Sequence, residues 1–447
     1  MKFSKDSYWF KSGIFSLLQQ TTNLVFGFGG FYCLVRVLSK DQMGGWILFT
    51  TVISILEVAR IGFIKYGFIK LRAEANEEDQ GKLLTASLAI NTAFALIVSL
   101  CMLLLGATLA EIWKTPELRT MFYLYSATSI ILIPFFQFEF LQHALLDFKN
   151  VFFVYFIRSG FLFFAILFSY FGLYQLDLFQ LVIINLFSAL LASVASYLLV
   201  KKPLHFSSSI EGTWVWKLVH YGKYVVGTNL VSSLYGAVDS FMLGSLVSAA
   251  SVATFNAASR ITNLINVPSM SFSAIIFPQS AKLMSTEGKS GVKTLHEKSV
   301  GAILAIVLPC IIFILIFPEW VITIIAGPSY IDSVAILNVT IFLSFFLPFS
   351  FQFGVTLISI GYPNLNFYFT SVFFVVNAIL NYFLVSTYGI IGAAYGTLGT
   401  TLISFIFMSV VLNRLVDISL LNIFRSTFDF YLMVIKIAKD QLVKYLK

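Results

Sequence analysis

Long runs of apolar residues dominate this chain and restrict what it can fold into. Hydrophobic residues occupy 58% of its 447 positions, and charged residues occupy only 11%, against about a quarter in soluble domains. A helix of about 20 apolar residues crosses a bilayer, and backbone groups in lipid must be hydrogen-bonded internally. We therefore predict an all-α integral membrane protein with twelve transmembrane helices, at residues 12–35, 43–66, 83–107, 118–143, 150–172, 177–200, 218–246, 250–277, 297–325, 333–359, 365–387 and 390–413.

A weak repeat relates the two halves of the chain. The segments LVRVLSKDQMGGW at Leu34–Trp46 and LGSLVSAASVATF at Leu243–Phe255 lie 209 residues apart. In each copy an apolar helix ends at a short turn containing serine, a second apolar helix follows at once, and a charged loop comes after it. Repeated sets of helices are typical of transporters that bind cargo between two lobes. The pattern predicts two pseudo-symmetric lobes of six helices each.

A polar segment, KKPLHFSSSIEGT at Lys201–Thr213, separates the two halves. We predict an N-lobe at residues 1–200 with helices one to six, a cytoplasmic linker at 201–216 and a C-lobe at 217–416 with helices seven to twelve. In the remaining tail, 417–447, apolar residues recur at helical spacing, which predicts an amphipathic helix at the inner membrane interface.

The distribution of lysine and arginine predicts the orientation in the membrane. If both termini are cytoplasmic, 23 of the 29 Lys and Arg residues fall on the inner side, four fall outside and two lie within helices. The four outside are Arg36, Lys40, Lys114 and Arg119, and the two within helices are Arg60 and Arg260. This asymmetry follows the positive-inside rule. The net charge of +8 therefore indicates contact with anionic lipid head groups and is no sign of nucleic-acid binding.

Motifs for catalysis and for cofactors are missing from the sequence. The GKS at Gly288–Ser290 is no phosphate-binding loop, because Leu283 stands where that motif requires glycine. Neither D-x-D nor H-E-x-x-H occurs, and Cys33, Cys101 and Cys310 lie in three different predicted helices. We expect no catalytic residue, no metal site, no disulfide and no cofactor.

Seven ionisable residues lie inside predicted spans, where each needs a partner or a wet cavity. Hairpin geometry places Glu139 level with Arg158, and Asp239 level with Arg260, because the members of each pair lie at similar distances from a turn. Glu57 and Arg60 are three residues apart on one helix and can meet on one face. The seventh, His143, receives no partner from this argument. The seven are Glu57, Arg60, Glu139, His143, Arg158, Asp239 and Arg260.

Two interpretations of these charges remain open. In the first, the arginines are structural and paired with carboxylates. In the second, Arg60, Arg158 and Arg260 line a cavity between the lobes and bind a phosphate-bearing head group, because the planar guanidinium matches phosphate geometry. Glu57, Glu139 and Asp239 then act as ion-pair or coupling residues.

Two stretches resemble a known family. In Tyr221–Ile261, an aspartate, Asp239, lies in mid-helix before Leu-Gly, and Phe-x-x-Ala-x-Arg-Ile follows the turn at Phe255–Ile261. Asn377–Thr397 contains Asn-x-x-x-Asn and Gly-Ile-x-Gly-Ala-Ala. With the twelve helices and the repeat, these motifs resemble the multidrug/oligosaccharidyl-lipid/polysaccharide exporter superfamily, and specifically its polysaccharide (O-antigen type) flippases.

The resemblance implies a V of two six-helix bundles around a central cavity, with alternating access. It implies a flippase that moves undecaprenyl-diphosphate-linked oligosaccharide from the cytoplasmic to the outer leaflet of the bacterial inner membrane, for lipopolysaccharide O-antigen or other surface polysaccharide. Expected partners are this lipid-linked substrate, membrane lipids, and a glycan polymerase and glycosyltransferases. In related lipid II flippases, arginines on helices two and eight are thought to receive the diphosphate, and Arg60 and Arg260 lie on those helices here.

Two alternatives belong to other functional classes. A cation-coupled exporter of small organic molecules, from the same superfamily, needs unpaired carboxylates in its cavity, whereas arginine is at least as prominent here. A membrane glycan polymerase or glycosyltransferase needs a large outer loop or a cluster of catalytic carboxylates, and the sequence has neither. We therefore expect a transporter and no enzyme.

Overall fold

The computed structural model describes residues 3–200 and 206–445, so the part of the predicted linker at 201–205 lies outside it. The described chain is helical and contains no strand, which agrees with the predicted all-α class. A single 3-10 turn interrupts it at Pro328–Tyr330. The α-helices are α1 (Phe3–Val37), α2 (Lys40–Glu74), α3 (Glu77–Ile112), α4 (Glu117–Ala144), α5 (Phe148–Tyr170), α6 (Leu178–Leu198), α7 (Gly212–Leu246), α8 (Ala249–Ile265), α9 (Val267–Thr286), α10 (Gly288–Ile316), α11 (Pro318–Ile325), α12 (Ser333–Thr340), α13 (Leu343–Ser359), α14 (Pro363–Tyr388), α15 (Ile390–Val416) and α16 (Leu420–Tyr445).

Most of these helices are long enough to cross a membrane. In the described residues, eight helices qualify singly by length and composition, and two bent pairs raise the number to ten. The pairs are α8 with α9, bent by 44°, and α12 with α13, bent by 45°. The helices α1 and α7, each 35 residues long, cover two more of the predicted spans. This arrangement is consistent with the predicted count of twelve.

Three of the predicted spans are not single helices. The span at 250–277 breaks at Asn266, just before Pro268, and the span at 333–359 breaks after Thr340. The span at 297–325 is divided between two helices: α10 ends at Ile316, and a separate helix, α11, starts at Pro318. Proline lacks the backbone N–H that a helix interior needs but fits a first helical position, which explains the break before Pro318.

The predicted repeat is visible in the helix boundaries. The first helix ends at Val37 and α7 ends at Leu246, which is 209 residues later. The next helices begin at Lys40 and Ala249, again 209 residues apart. The two copies therefore place the turn between their helices at equivalent positions.

Equivalent serines cap the second helix of each copy. Ser39 Oγ accepts a hydrogen bond from the Gln42 backbone N–H at 3.2 Å, and Ser248 Oγ accepts one from the Ser251 N–H, also at 3.2 Å. A serine that satisfies a free N–H in the first turn stabilises a helix start by about 1 kcal/mol. The serine in each turn, Ser39 or Ser248, thus specifies where the following helix begins.

Two compact units form, and each has its own core. One consists of Met1–Ala237 with Ser248–Ala253, and the other of Val238–Val247 with Thr254–Lys447. In the first unit, α4 packs against α2, α3, α5 and α6, and α1 packs against α5. Aromatic side chains fill much of this core, including Phe68, Phe135, Phe136, Phe138 and Phe140.

The first unit includes most of α7, which the sequence analysis assigned to the C-lobe. Glycines bring α7 close to α2: a Cβ added at Gly222 would lie 2.1 Å from Phe63 O, and one added at Gly62 would lie 3.4 Å from Val226 Cα. The compact units therefore divide within α7. The lobe boundaries at residues 200 and 217 stay a prediction.

In the second unit, α10 is the central helix. It packs against α9, α13, α15 and α16, while α14 and α15 form a close pair. The predicted helix in the C-terminal tail begins at Leu420 and lies alongside α10 from its start. A Cβ added at Gly301 would lie 2.9 Å from Ile423 O, so only glycine allows this approach. The interfacial position of the rest of α16 stays a prediction.

A buried carboxylate holds the start of α16. Glu297 on α10 accepts hydrogen bonds from the Ser419 backbone N–H at 2.8 Å and from Asn422 Nδ2 at 3.2 Å. A carboxylate is favourable at a helix N-terminus, where unpaired N–H groups and the helix dipole present positive charge. This contact fixes the direction in which α16 leaves the preceding turn.

Candidate functional site

A cluster of ionisable side chains lies inside the first unit, where α2, α4 and α5 meet. Arg158 on α5 donates a hydrogen bond to Glu57 on α2 and forms an ion pair with it. The Arg158 guanidinium also lies 4.8 Å from the ring centroid of Phe135, within the range of a cation–π interaction. The side chains of Arg158 and Glu57 are 16% and 19% exposed, so the pair is largely buried but remains accessible.

Arg60 is much less accessible than Arg158. Its side chain is 3% exposed and is held between α2, α3 and α4. Nε donates to Asn91 Oδ1 at 2.7 Å, Nη1 donates to Ser129 O at 3.2 Å, and the guanidinium lies 4.6 Å from the Phe136 ring centroid. The guanidinium thus binds neutral oxygens and an aromatic face in a sealed position.

Glu139 on α4 collects three donors. Its Oε1 lies 2.7 Å from Lys65 Nζ, 2.9 Å from His143 Nε2 and 3.3 Å from the hydroxyl oxygen of Tyr155. The Glu139 side chain has no exposed surface. A carboxylate removed from water in this way requires such partners, and the contacts join α2, α4 and α5.

The pairings predicted inside the first unit were therefore wrong. Arg158 pairs with Glu57 and not with Glu139, although the latter was placed at the same depth. Two side chains at the same depth in the membrane meet only if they also lie on facing sides of their helices. The depth can be estimated from the sequence, but the rotation of each helix about its axis cannot. Lys65 was missed because it was counted with the inner loop, although it lies within the predicted span 43–66. A lysine in that position should have been assigned a partner.

A cavity opens beside Arg158, between α1 and α5. Its volume is about 340 Å³, and Asn23, Tyr155, Arg158 and Ser159 supply its polar groups. The remaining wall is apolar and includes Phe26 and Phe163. The cavity thus offers one cation and several neutral hydrogen-bonding groups to a small anionic group.

The second unit contains a carboxylate of a different kind. Asp239 on α7 accepts a hydrogen bond from Thr397 Oγ1 on α15 at 2.6 Å. Asn377 on α14 donates weakly, at 3.4 Å, to the hydroxyl oxygens of Thr397 and Thr400. Asp239 thus contacts a neutral hydroxyl of α15, which in turn contacts Asn377 of α14, and this arrangement can hold a proton or a small cation.

The predicted pair of Asp239 and Arg260 is absent from the ion pairs of the described residues. The facing positions of the α7–α8 hairpin are instead occupied by Ser240 and Asn256, whose side chains hydrogen-bond at 3.2 Å. Asp239 is thereby directed towards α15. Arg260, on α8, has an exposed side chain.

The two stretches that carried the family resemblance meet in the structure. Asp239 comes from the first stretch, and Asn377 and Thr397 come from the second. The importance of Thr397 was missed, although it ends the second motif. Its signal in the sequence was a polar residue next to the small residues of Gly-Ala-Ala-Tyr-Gly, which allow helices to approach closely.

Comparisons with curated proteins show two relatives, both archaeal. The chain is 28% identical over 246 residues to an uncharacterized membrane protein of Methanocaldococcus jannaschii, an alignment that covers 53% of this chain and 48% of that protein. It is 24% identical over 180 residues to a probable low-salt glycan biosynthesis flippase, Agl15, of Haloferax volcanii, which covers 40% and 38%. The matched part of the chain thus spans half or less of the length of each relative.

Comparisons with solved structures identify the fold. An inward-facing multidrug resistance MATE family transporter of the MOP superfamily matches 89% of this chain and 98% of its own, with a TM-score of 0.73 and 16% identity. The lipid II flippase MurJ, in an inward closed conformation, matches 96% and 92%, with a TM-score of 0.75 and 14% identity. The chain therefore has the exporter fold that its motifs and helices predicted.

A family match covers the largest continuous part of the sequence. Residues 33–335 match the family described as polysaccharide biosynthesis protein. That region extends from the end of α1 to α12, and so includes Glu57, Arg158, Asp239 and Arg260. Because the match covers more than half of the chain, and the fold agrees with it, the chain belongs to the polysaccharide biosynthesis protein family.

Proposed function

We propose that this protein is a flippase for a lipid-linked glycan. In the detailed form of the proposal, it moves undecaprenyl-diphosphate-linked oligosaccharide from the cytoplasmic to the outer leaflet of a bacterial inner membrane by alternating access, for surface polysaccharide such as O-antigen. Family membership is the observation that carries the proposal. The relative named as a glycan biosynthesis flippase and the likeness in fold to MurJ support it.

In this proposal, intramembrane arginines receive the diphosphate. Arg158 is the strongest candidate, because it lines a cavity with polar walls and is held by Glu57. A diphosphate carries more negative charge than a carboxylate and can displace Glu57 from the guanidinium. Arg260 is exposed on α8 and is a second candidate. Arg60 is sealed, so contact with substrate requires α2 to separate from α3 and α4.

The same proposal includes the orientation of the protein in the membrane, its partners and the roles of two carboxylates. Both termini are cytoplasmic, as the distribution of Lys and Arg indicates. Membrane lipids surround the helices, and glycosyltransferases supply the lipid-linked oligosaccharide while a polymerase consumes it. Lys65 and His143 bind Glu139, which makes it a structural anchor, whereas Asp239 lacks such a cation among its described contacts and serves in energy coupling.

Asp239 also favours a second candidate function. A half-buried carboxylate with neutral neighbours is the kind of group that a cation-coupled exporter of small organic molecules needs. The fold agrees equally well with this class, since a MATE transporter is among the structural matches. The cavity beside Arg158 is evidence against this second function, because Arg158 repels a cationic drug.

Deletion of the gene distinguishes the two candidates. A strain without the flippase should accumulate lipid-linked glycan in the inner leaflet and lose surface glycan, and the wild-type gene should restore it. Arg119→Ala is a suitable control for arginine variants, because Arg119 is exposed and contacts Tyr123 of its own helix. Normal surface glycan together with a new sensitivity to cationic dyes would instead establish the small-molecule exporter.

A further inference from the structure

An apolar crevice in the second unit has no role in the site described above. It lies where α8, α10 and α11 meet and has a volume of about 490 Å³. In sequence, α10 ends at Ile316 and Pro318 starts α11, and both helices contribute to the wall of the crevice. Its wall consists of apolar side chains and one cysteine, and includes Leu264, Cys310, Phe313 and Ile324.

The chemistry of the wall defines what can enter the crevice. Sugar hydroxyls and phosphates lose their hydrogen bonds on entering an apolar space, at a considerable cost in free energy. A hydrocarbon chain loses nothing and gains packing contacts. If each carbon group occupies about the volume of a water molecule, roughly 30 Å³, the space holds a chain segment of about 15 carbons.

A cation, Arg260, lies on α8, the helix that supplies one side of the crevice wall. Arg260 precedes Leu264 by four residues on α8, so both side chains point to the same face of the helix. The Arg260 side chain is exposed, and both Ile261, the next residue, and Leu264 form part of the crevice wall. The arrangement suits an amphiphile with an anionic head group joined to a hydrocarbon chain.

We propose that the crevice binds the polyprenyl chain of the lipid-linked substrate while Arg260 contacts its diphosphate. This inference rests on the proposed function, because that function supplies a lipid with a diphosphate head and a polyprenyl chain. It adds a site for the chain to the sites for the head group. The substrate is then held by its lipid part whatever sugars it carries.

Filling the crevice tests the proposal. Cys310 is exposed in the crevice, whereas Ile312, on the same helix, is exposed but does not line it. Cys310→Trp should fill the space, and Ile312→Trp is the matched control. The purified protein in nanodiscs is titrated with undecaprenyl diphosphate, with inorganic diphosphate and with an anionic phospholipid, phosphatidylglycerol.

We expect Cys310→Trp to weaken binding of undecaprenyl diphosphate about tenfold or more, because loss of two buried methylene groups already has that effect. Binding of inorganic diphosphate should be unchanged in this variant and reduced in Arg260→Gln. Ile312→Trp should bind all three probes as the wild type does.

Three results overturn the proposal in different ways. Equal binding of undecaprenyl diphosphate by Cys310→Trp and the wild type removes the crevice from the substrate site and leaves the flippase function intact. An equal loss of phosphatidylglycerol and undecaprenyl diphosphate identifies a site for ordinary membrane lipid. No binding of undecaprenyl diphosphate by the wild type removes the proposed substrate itself.

Discussion

At the level of single residues, Arg158 pairs with Glu57 and not with Glu139, the residue predicted at the same depth in the membrane. Removing one partner of a buried ion pair strands the other charge and commonly costs about 3–5 kcal/mol. Glu57→Gln and Arg158→Gln should therefore each lower the free energy of unfolding by about 3 kcal/mol or less, since both side chains retain some exposure. The double variant should lose less than the sum of the two. Thermal unfolding in detergent measures this cycle, and a larger coupling between Glu139 and Arg158 would contradict the observed pairing.

Some features of single residues could be predicted from the sequence, whereas their contacts could not. All seven of the ionisable residues named above were visible in apolar segments, and Ser39 and Ser248 could be recognised as equivalent. The contacts of Arg60 with Asn91 and Ser129 could not be predicted, because they depend on the rotation of three helices around their axes. The same is true of the meeting of Asp239 with Thr397, which are 158 residues apart.

At the scale of helices, glycine determines how closely α2 and α7 approach. A Cβ at Gly222 would lie 2.1 Å from Phe63 O, whereas nothing lies within 4 Å of one at Gly227 on the same helix. Gly222→Ala should destabilise the protein by about 1–3 kcal/mol, because the backbone of α2 must move. Gly227→Ala should be neutral or slightly stabilising, because alanine favours helix by up to about 1 kcal/mol. Equal unfolding temperatures for the two variants would show that this close contact does not form.

The docking of α16 supplies a second prediction about an element. Glu297→Gln keeps the size of the side chain but removes the charge that faces the start of α16. We expect faster hydrogen–deuterium exchange at residues 419–430, with little change in α13. The control is Glu319→Gln, since Glu319 is exposed on α11. Unchanged exchange in Glu297→Gln would contradict this role of Glu297. The packing of α16 at Gly301 would then be the contact that stabilises its start.

At the scale of the whole molecule, the sequence predicted the class, the approximate positions of the membrane segments and the family. Apolar runs and positive charges are governed by the bilayer, which acts on each segment separately. The break before Pro318 was missed because an apolar run can continue where one helix ends and the next begins. The close contacts of Gly62 and Gly222 between α2 and α7 could not be predicted, because they join distant parts of the sequence.

The central claim is that the protein moves a lipid-linked glycan across a membrane, with Arg158 receiving the diphosphate. The most direct measurement uses the purified protein in liposomes that contain undecaprenyl-diphosphate-linked oligosaccharide with a labelled sugar on the inner leaflet. We predict that the label becomes accessible to an added glycosidase over time. We expect the rate to fall about tenfold in Arg158→Lys, which keeps the charge but loses the bidentate contact, and to stay unchanged in Arg119→Ala. A rate no higher than that of protein-free liposomes would contradict the account.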